Sequence, residues 1–256
     1  MISFPLFKQT LKANGTLWGV ITAVTTILLV QFAALEMTQS LLFLIFYGVM
    51  AMLLPAVFIL VSSNKLFSSQ IDRGSMAYVL SSPLRRSKII STQLIFSVLS
   101  IVLMFTITTV AHIAVNAHSP LSLAMAGAGA GLLGLEGTLT SAMIVKINLS
   151  AMLVSLAMMG VAYMFSAIFN QSKYTLGFNG TFIGVSVLAN MMAMFGTLGV
   201  EVLENFKYVS ICTLYDYKSI LLADNNWLIK SAAALIIAIV TYTIGSVWFA
   251  KKDLPL

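Results

Sequence analysis

Charged residues divide this chain into long apolar stretches. Six stretches without Asp, Glu, Lys or Arg are each long enough for a membrane-spanning helix, which needs roughly 20 mostly apolar residues. We place the spans at about 17–35, 41–63, 90–116, 147–170, 175–199 and 227–249. The pattern therefore predicts an all-α, polytopic membrane protein whose six transmembrane helices form a single domain, 1–256.

The composition excludes most other classes of protein. Hydrophobic residues make up 59% of the chain and charged residues 9%, where soluble domains have roughly 45–50% and about 25%. So few charges cannot cover a water-exposed surface, which excludes soluble enzymes, disulfide scaffolds and disordered tails. The net charge of +6 comes without a basic stripe interleaved with aromatic residues, so we predict no nucleic-acid partner.

The distribution of charge predicts the orientation in the membrane. Six spans place both termini on one side, and that side carries ten basic and two acidic residues. The other side carries four basic and six acidic residues. Because cytoplasmic loops are enriched in Lys and Arg, we expect both termini in the cytoplasm of a multi-pass plasma-membrane protein.

The first residues form an amphipathic stretch ahead of the first span. Pro5 suits a first helical turn, and an apolar face follows it over residues 2–14. Asn14 and Gly15 then favour a break. We expect residues 2–14 to form an interfacial helix on the inner leaflet, and the alternative is that they are the early start of the first span.

The longest cytoplasmic segment, residues 64–89, contains a second amphipathic pattern. It predicts a short helix that is interrupted at Gly74 and ended by Pro83. An apolar helix on the water side of a membrane requires lipid headgroups or a partner protein. The alternative is a basic loop that orients the next span through its charges alone.

This segment carries a resemblance to a known family. Asp72-Arg73-Gly74-Ser75, followed by Leu80-Ser81-Ser82-Pro83 and Arg86, resembles the acid-x-Gly…Leu-Leu-Ser-x-Pro…Arg signature between the second and third spans of ABC-2 type transporter permeases. The ending Phe249-Ala250-Lys251-Lys252-Asp253-Leu254-Pro255-Leu256 and the opening Phe7-Lys8-Gln9-Thr10-Leu11-Lys12 are also similar to that family. The resemblance covers the whole chain and is greatest to permeases of bacterial exporters for phenol-soluble modulins and related amphipathic peptides. Many relatives carry Glu at the position of Asp72.

The resemblance implies a fold, a function and a set of partners. It implies the ABC-2, type V exporter-like fold, a second permease that is identical or homologous, and two copies of an ATPase subunit that hold ATP and Mg. This chain would be a non-catalytic subunit without a cofactor of its own, exporting a hydrophobic or amphipathic substrate, with peptide as first choice. The residues expected to couple to the ATPase are Ile71, Asp72, Arg73, Gly74, Met76, Tyr78, Val79, Ser82 and Pro83.

Two further regions are expected to shape a substrate route. The resemblance implies short helices over 200–226 that dip back into the outer leaflet, and an ordinary loop rimmed with tyrosines is the alternative. The fifth span carries a methionine-rich face, which suits varied apolar partners. The candidate path residues there are Asn190, Met191, Met194 and Phe195, and ordinary packing or lipid contact is the alternative explanation for the methionines.

Several kinds of chemistry have no residues to support them. The chain contains no Gly-x-x-x-x-Gly-Lys-[Ser/Thr] phosphate loop and no His-Glu-x-x-His, and we predict no metal site. No acid lies inside a predicted span, so His112 is the single candidate for coupling to a gradient, and we expect it to bond to a neighbouring helix instead. The alternatives to an exporter are a gradient-driven carrier and a non-transporting membrane anchor or regulator.

Overall fold

The computed structural model describes residues 2–39, 41–77, 85–123, 137–196 and 200–253. Within these ranges the protein is built of helices, and six are long and apolar enough to cross a membrane. They are α1 (Phe4–Ala34), α2 (Leu42–Leu66), α3 (Arg86–His118), α4 (Ser141–Ile168), α5 (Ser172–Gly196) and α6 (Asn226–Lys251). The prediction of an all-helical protein with six helices able to span a membrane is confirmed.

Successive helices run in opposite directions, so each end of the bundle collects particular helix ends. At what we call the terminal end, Arg86 Nη1 at the start of α3 donates to the carbonyl of Lys252 just after α6 (2.7 Å). At the distal end, the hydroxyl of Ser231 near the start of α6 contacts that of Ser150 near the start of α4 (3.1 Å). The backbone N–H of Ser3, just before α1, donates to the Thr92 hydroxyl of α3 (3.0 Å), so the start of α1 and the end of α6 lie at the same end of the bundle.

Helix α4 forms the centre of the bundle. In the most apolar stretch of α4, 72% of the residues are buried. The corresponding share is 22% in α1 and 28% in α6. The side chains on the outside are mostly large and apolar, such as Ile27 of α1 and Ile236 of α6. Because lipid tails are the solvent for such surfaces, this arrangement buries the polar groups of the spans between helices.

The start of the chain differs from the expectation. Residues from Phe4 onward belong to α1, so the predicted break at Asn14 and Gly15 is wrong. The helix continues because its first turns pack along α3, where the Thr10 hydroxyl donates to Gln93 Oε1 (3.2 Å) and the ring of Phe7 lies 6.1 Å from that of Phe96. Asn14 Nδ2 donates to the carbonyl of Thr10 one turn earlier (3.0 Å). Residues 4–14 thus begin the first long helix, as in the alternative interpretation.

Helix α2 begins with an unusual conformation. Residues Leu42–Met50 are π-helical, and the ordinary α-helix begins at Ala51. A π-helix is wider than an α-helix and is frequent at functional sites. This segment contains Tyr47 and Gly48, which lie at the cavity described below.

Candidate functional site

The chain between α5 and α6 folds back into the distal end of the bundle. This part, residues 200–221, is called the distal segment and consists of the short helical turns Glu201–Glu204, Asn205–Tyr208, Ile211–Leu214 and Tyr217–Leu221. The Ser210 hydroxyl donates to the carbonyl of Ser186 (2.5 Å), which lies roughly 15 Å below the end of α5 at the usual helical rise. The Cys212 thiol reaches the sulfur of Met158 in α4 (3.9 Å). The distal segment therefore re-enters the bundle and contacts its central helix.

Aromatic rings hold the distal segment against α2. The ring of Tyr217 stacks on Phe43 with centroids 6.1 Å apart, and it lies 6.4 Å from the ring of Tyr47. Tyr215 packs against Tyr217 at 5.7 Å. All four rings are buried. Such ring pairs contribute packing beyond their buried area, so this cluster fixes the position of the segment.

A cavity of about 170 Å³, the distal cavity, lies between α2, α5, the distal segment and α6. Helix α2 contributes Tyr47 and Gly48, and α5 contributes Asn190 and Met194. Asn190 Nδ2 donates to the carbonyl of Gly48 (3.2 Å), so the π-helical start of α2 is tied to α5 at this wall. The charged residues of the wall are Glu204, Lys207, Asp216, Lys218 and Lys230.

The charges of the distal cavity form close pairs. Lys207 Nζ lies 2.6 Å from Glu204, and Lys230 Nζ lies 2.5 Å from Asp216. Burial alone would raise the pKa of the Asp216 carboxyl, but hydrogen bonds from Lys230 and Ser219 and the charge of Lys230 together lower it. The wall is therefore polar, and the charges within each of these two pairs offset each other.

A buried polar network continues below Tyr47. Its hydroxyl lies 2.6 Å from His112 Nδ1 of α3, and Asn148 Nδ2 of α4 donates to the same hydroxyl at 3.4 Å. His112 is 1% exposed. The expectation that His112 bonds to a neighbouring helix is confirmed, and the network ties the first halves of α2 and α4 to α3.

The candidate path residues do not share one surface. Asn190 and Met194 line the distal cavity. Met191 is half-buried and packs against the core, whereas Phe195 is 49% exposed on the outside of α5. The sequence alone did not show which of these four residues face the cavity. Contacts with the distal segment determine which side of α5 is covered.

At the terminal end, a short helix follows α2 and contacts both α4 and α5. This loop helix, Ser68–Asp72, begins with a buried serine whose hydroxyl donates to the carbonyl of Ser166 (2.9 Å) and lies 2.6 Å from the Thr175 hydroxyl. At its other end, an Asp72 carboxylate oxygen accepts from the backbone N–H of Ser172 (3.3 Å), the first residue of α5. A carboxylate there satisfies a free N–H and faces the positive end of the helix dipole.

The predicted coupling residues divide into buried and exposed ones. Ile71 is 8% exposed and Met76 is 1% exposed, so this chain itself covers their side chains. The sequence pattern of residues 64–89 indicated an apolar face that needs lipid headgroups or a partner protein. For Ile71 and Met76 that inference is wrong. Asp72, Arg73 and Gly74 are exposed, and the predicted interruption at Gly74 is confirmed by its positive φ of 71°. Tyr78, Val79, Ser82 and Pro83 lie outside the described residues.

Helix α5 connects the loop helix with the distal cavity. Its first turns bind Asp72 and Ser68, and its last turns present Asn190 and Met194 to the cavity. A continuous helix transmits displacement along its axis as a nearly rigid body. This connection was not predicted, because the spacing of residues along a helix does not reveal which elements touch each end.

The six helices define the class of this chain as a multi-pass membrane protein. Comparison with protein-family models gives no match, and comparison with curated proteins gives no significant match. In the described ranges, no group of three or more His, Cys, Asp and Glu side chains is arranged to hold a metal ion.

Proposed function

We propose that this chain is the permease subunit of an ATP-driven ABC-2 exporter. The observation that carries the proposal is the link formed by α5, which joins the segment bearing the family-like signature to the distal cavity. The complete transporter would contain two permeases and two ATPase subunits. The excess of basic residues at the terminal end supports a cytoplasmic location for that end.

The proposed mechanism is mechanical. ATP binding closes the ATPase pair against the loop around Asp72 and Arg73. The loop helix then displaces the start of α5, with which it shares the Asp72 and Ser68 contacts. Movement of α5 against the distal segment opens the distal cavity, and no covalent step involves this chain.

The size of the distal cavity supports a closed resting state. An α-helix with its side chains is about 10–12 Å in diameter, which a cavity of about 170 Å³ cannot hold. Export of an amphipathic helical peptide therefore requires the distal segment to move away from α2. The compensated charges and tyrosine rings of the wall suit a surface that is apolar on one side and polar on the other.

The first test is the identity of the partner and the energy source. We expect the tagged chain, purified in mild detergent from its native membrane, to bring with it a soluble-domain subunit containing a phosphate loop and to show ATP hydrolysis. Tyr78→Asp should release that subunit, because an unpaired charge disrupts an interface. The matched control Tyr174→Asp, at a half-exposed position near the start of α5, should retain it. Purification without any ATPase would contradict the proposal.

The second test is transport in inverted vesicles from the expressing cells. An amphipathic helical peptide should enter these vesicles when ATP is present, and entry should persist when an ionophore collapses the proton gradient. Uptake that follows the gradient and ignores ATP would overturn the proposal in favour of a gradient-driven carrier.

A further inference from the structure

A second cavity lies at the terminal end, between the first turns of α1 and the loop helix. Its volume is about 320 Å³, and we call it the terminal cavity. Its wall includes Gln9, Thr10 and Asn14 of α1, Lys65 near the end of α2, and Arg73 after the loop helix. Lys65 and Arg73 are the ionisable side chains of this wall, so the described wall carries two positive charges and no carboxylate.

The two cations are placed differently. Lys65 Nζ donates to the carbonyl of Ala13 (3.0 Å), which holds the ammonium at the wall and leaves it two further donors. Arg73 is exposed, and no hydrogen bond or ion pair joins its guanidinium to the residues that the structure describes. The neighbouring carboxylate of Asp72 accepts from Ser172 of α5. The described wall of the terminal cavity therefore contains two cations and no carboxylate, in contrast to the paired charges of the distal cavity.

An unsatisfied acceptor lies beside these cations. Asn14 is fully buried, and its Nδ2 donates to Thr10. Its Oδ1 has no hydrogen-bond partner within the described part of the chain. A buried polar atom without a partner is uncommon in folded proteins and is costly unless a water or ligand supplies the missing bond. A ligand that carries a hydroxyl donor next to an anionic group would match both features.

We propose that the terminal cavity binds the headgroup of an anionic phospholipid that bears free hydroxyls. The phosphate would lie between Lys65 and Arg73, and a headgroup hydroxyl would donate to Asn14 Oδ1 once that buried atom turns towards the cavity. The position supports a lipid source, because Lys65 is the penultimate residue of α2, and the ends of spanning helices lie near lipid headgroups. Basic pockets between transmembrane helices are suited to anionic headgroups. This inference does not depend on the proposed transport function.

The test is lipid retention by the full chain in nanodiscs of mixed phosphatidylglycerol and phosphatidylcholine. Native mass spectrometry after release should find phosphatidylglycerol bound to the wild type in preference to phosphatidylcholine. The Arg73→Gln and Lys65→Gln variants should each bind about fivefold more weakly, and the double variant on the order of thirtyfold more weakly, from the usual contribution of one basic residue near a membrane surface.

The matched control is Lys12→Gln, which removes an exposed lysine of α1 outside the cavity wall. It should leave the preference for phosphatidylglycerol unchanged. An equal loss in Lys12→Gln would show general surface attraction and would overturn the site, as would an unchanged preference in the double variant. Arg73→Gln breaks no described hydrogen bond, so it remains informative if the Lys65 variant folds poorly.

A soluble competitor distinguishes the lipid from a free phosphate ester. Glycerol 3-phosphate at millimolar concentration should not displace phosphatidylglycerol, because it lacks the acyl chains that hold the headgroup at this depth. If the detergent-purified chain binds glycerol 3-phosphate as tightly as the lipid, the assignment to a membrane lipid is wrong.

Discussion

The distal segment and the loop helix join the same bundle through different contacts. Stacked rings hold the distal segment against α2, Asp216 pairs with Lys230 of α6, and the Ser210 hydroxyl donates to Ser186 of α5. The loop helix is held by the Ser68 hydroxyl and by the Asp72 cap on α5. Ring pairs stabilise mainly through the large area they bury, whereas a hydrogen bond to a helix end satisfies one particular N–H group. In the proposed mechanism, the loop helix moves together with α5, and the ring contacts of the distal segment must separate for the cavity to open.

The distal cavity and the terminal cavity also differ in how their charged side chains are paired. Acidic and basic groups are paired at the distal cavity, while Lys65 and Arg73 face the terminal cavity without a carboxylate in its described wall. Pairing reduces the cost of carrying charged groups into a low-dielectric bundle. Unpaired cations attract anions.

The loop helix is expected to tolerate a charge least at Ile71. We predict that Ile71→Asp destabilises the chain by about 3 kcal/mol or more, because it buries a carboxylate without a partner. Ile71→Val removes one methyl group and should cost about 1 kcal/mol. Thermal unfolding of both variants in detergent measures the difference. A stable Ile71→Asp variant would mean that Ile71 is not packed as the structure places it.

The distal segment is expected to be displaced by a single methyl group at Gly196. A Cβ at this position would overlap the backbone N and Cα of Glu204, so Gly196→Ala should cost roughly 1–3 kcal/mol or move the segment. Gly184→Ala is the matched control on α5, because its Cβ meets no atom within 4 Å. It should be neutral or slightly stabilising.

Cys212 provides a native reporter for this displacement. Its thiol is 1% exposed, and burial raises its pKa to about 11. Labelling by a maleimide should therefore be slow in the wild type and in Gly184→Ala, and faster by at least an order of magnitude in Gly196→Ala. Equal labelling rates in the three proteins would show that Gly196 does not position the segment.

The Asp216 pair is expected to stabilise the distal segment more than the Glu204 pair does. Asp216 accepts hydrogen bonds from Ser219 and Lys230, so we predict that Asp216→Asn costs about 1.5–2 kcal/mol. Glu204→Gln should have little effect, because its pair with Lys207 is largely exposed.

The pH dependence gives a second measurement on the same variants. Since the folded pKa of Asp216 is lowered from its ordinary value of 3.8, its contribution is present above that pH and is lost as the pH falls through the folded pKa. The difference in melting temperature between wild type and Asp216→Asn should thus shrink in acid. A difference that grows below pH 3.8 would contradict the assignment.

The smallest effect is expected at Asp72. Asp72→Ala removes the cap on Ser172 and should cost about 1 kcal/mol, whereas Asp72→Asn retains an acceptor and should cost less. Hydrogen exchange of the first turn of α5 would locate the effect. Uniform exchange across the bundle in Asp72→Ala would argue against a local cap.

The sequence predicted the helices better than their contacts. Gaps between charges are sufficient to locate spans, because the cost of a charge in lipid acts on each residue separately. Gly74 was predictable as an interruption since glycine readily adopts positive φ. The break at Asn14 was predicted wrongly because local propensity favoured it, while packing of the first turns on α3 keeps α1 continuous. Ile71 was misjudged since an amphipathic pattern does not reveal what covers its apolar face.

The sequence by itself determined that this chain is helical and has six segments able to cross a membrane, because apolar length and charge placement are local quantities. Only the tertiary structure decided that residues 200–221 re-enter the bundle, that α5 joins Asp72 to the distal cavity, and that Lys65 meets Arg73 at the terminal cavity. Each of these facts depends on packing between residues far apart in the chain, where the geometry of several helices together selects the partners.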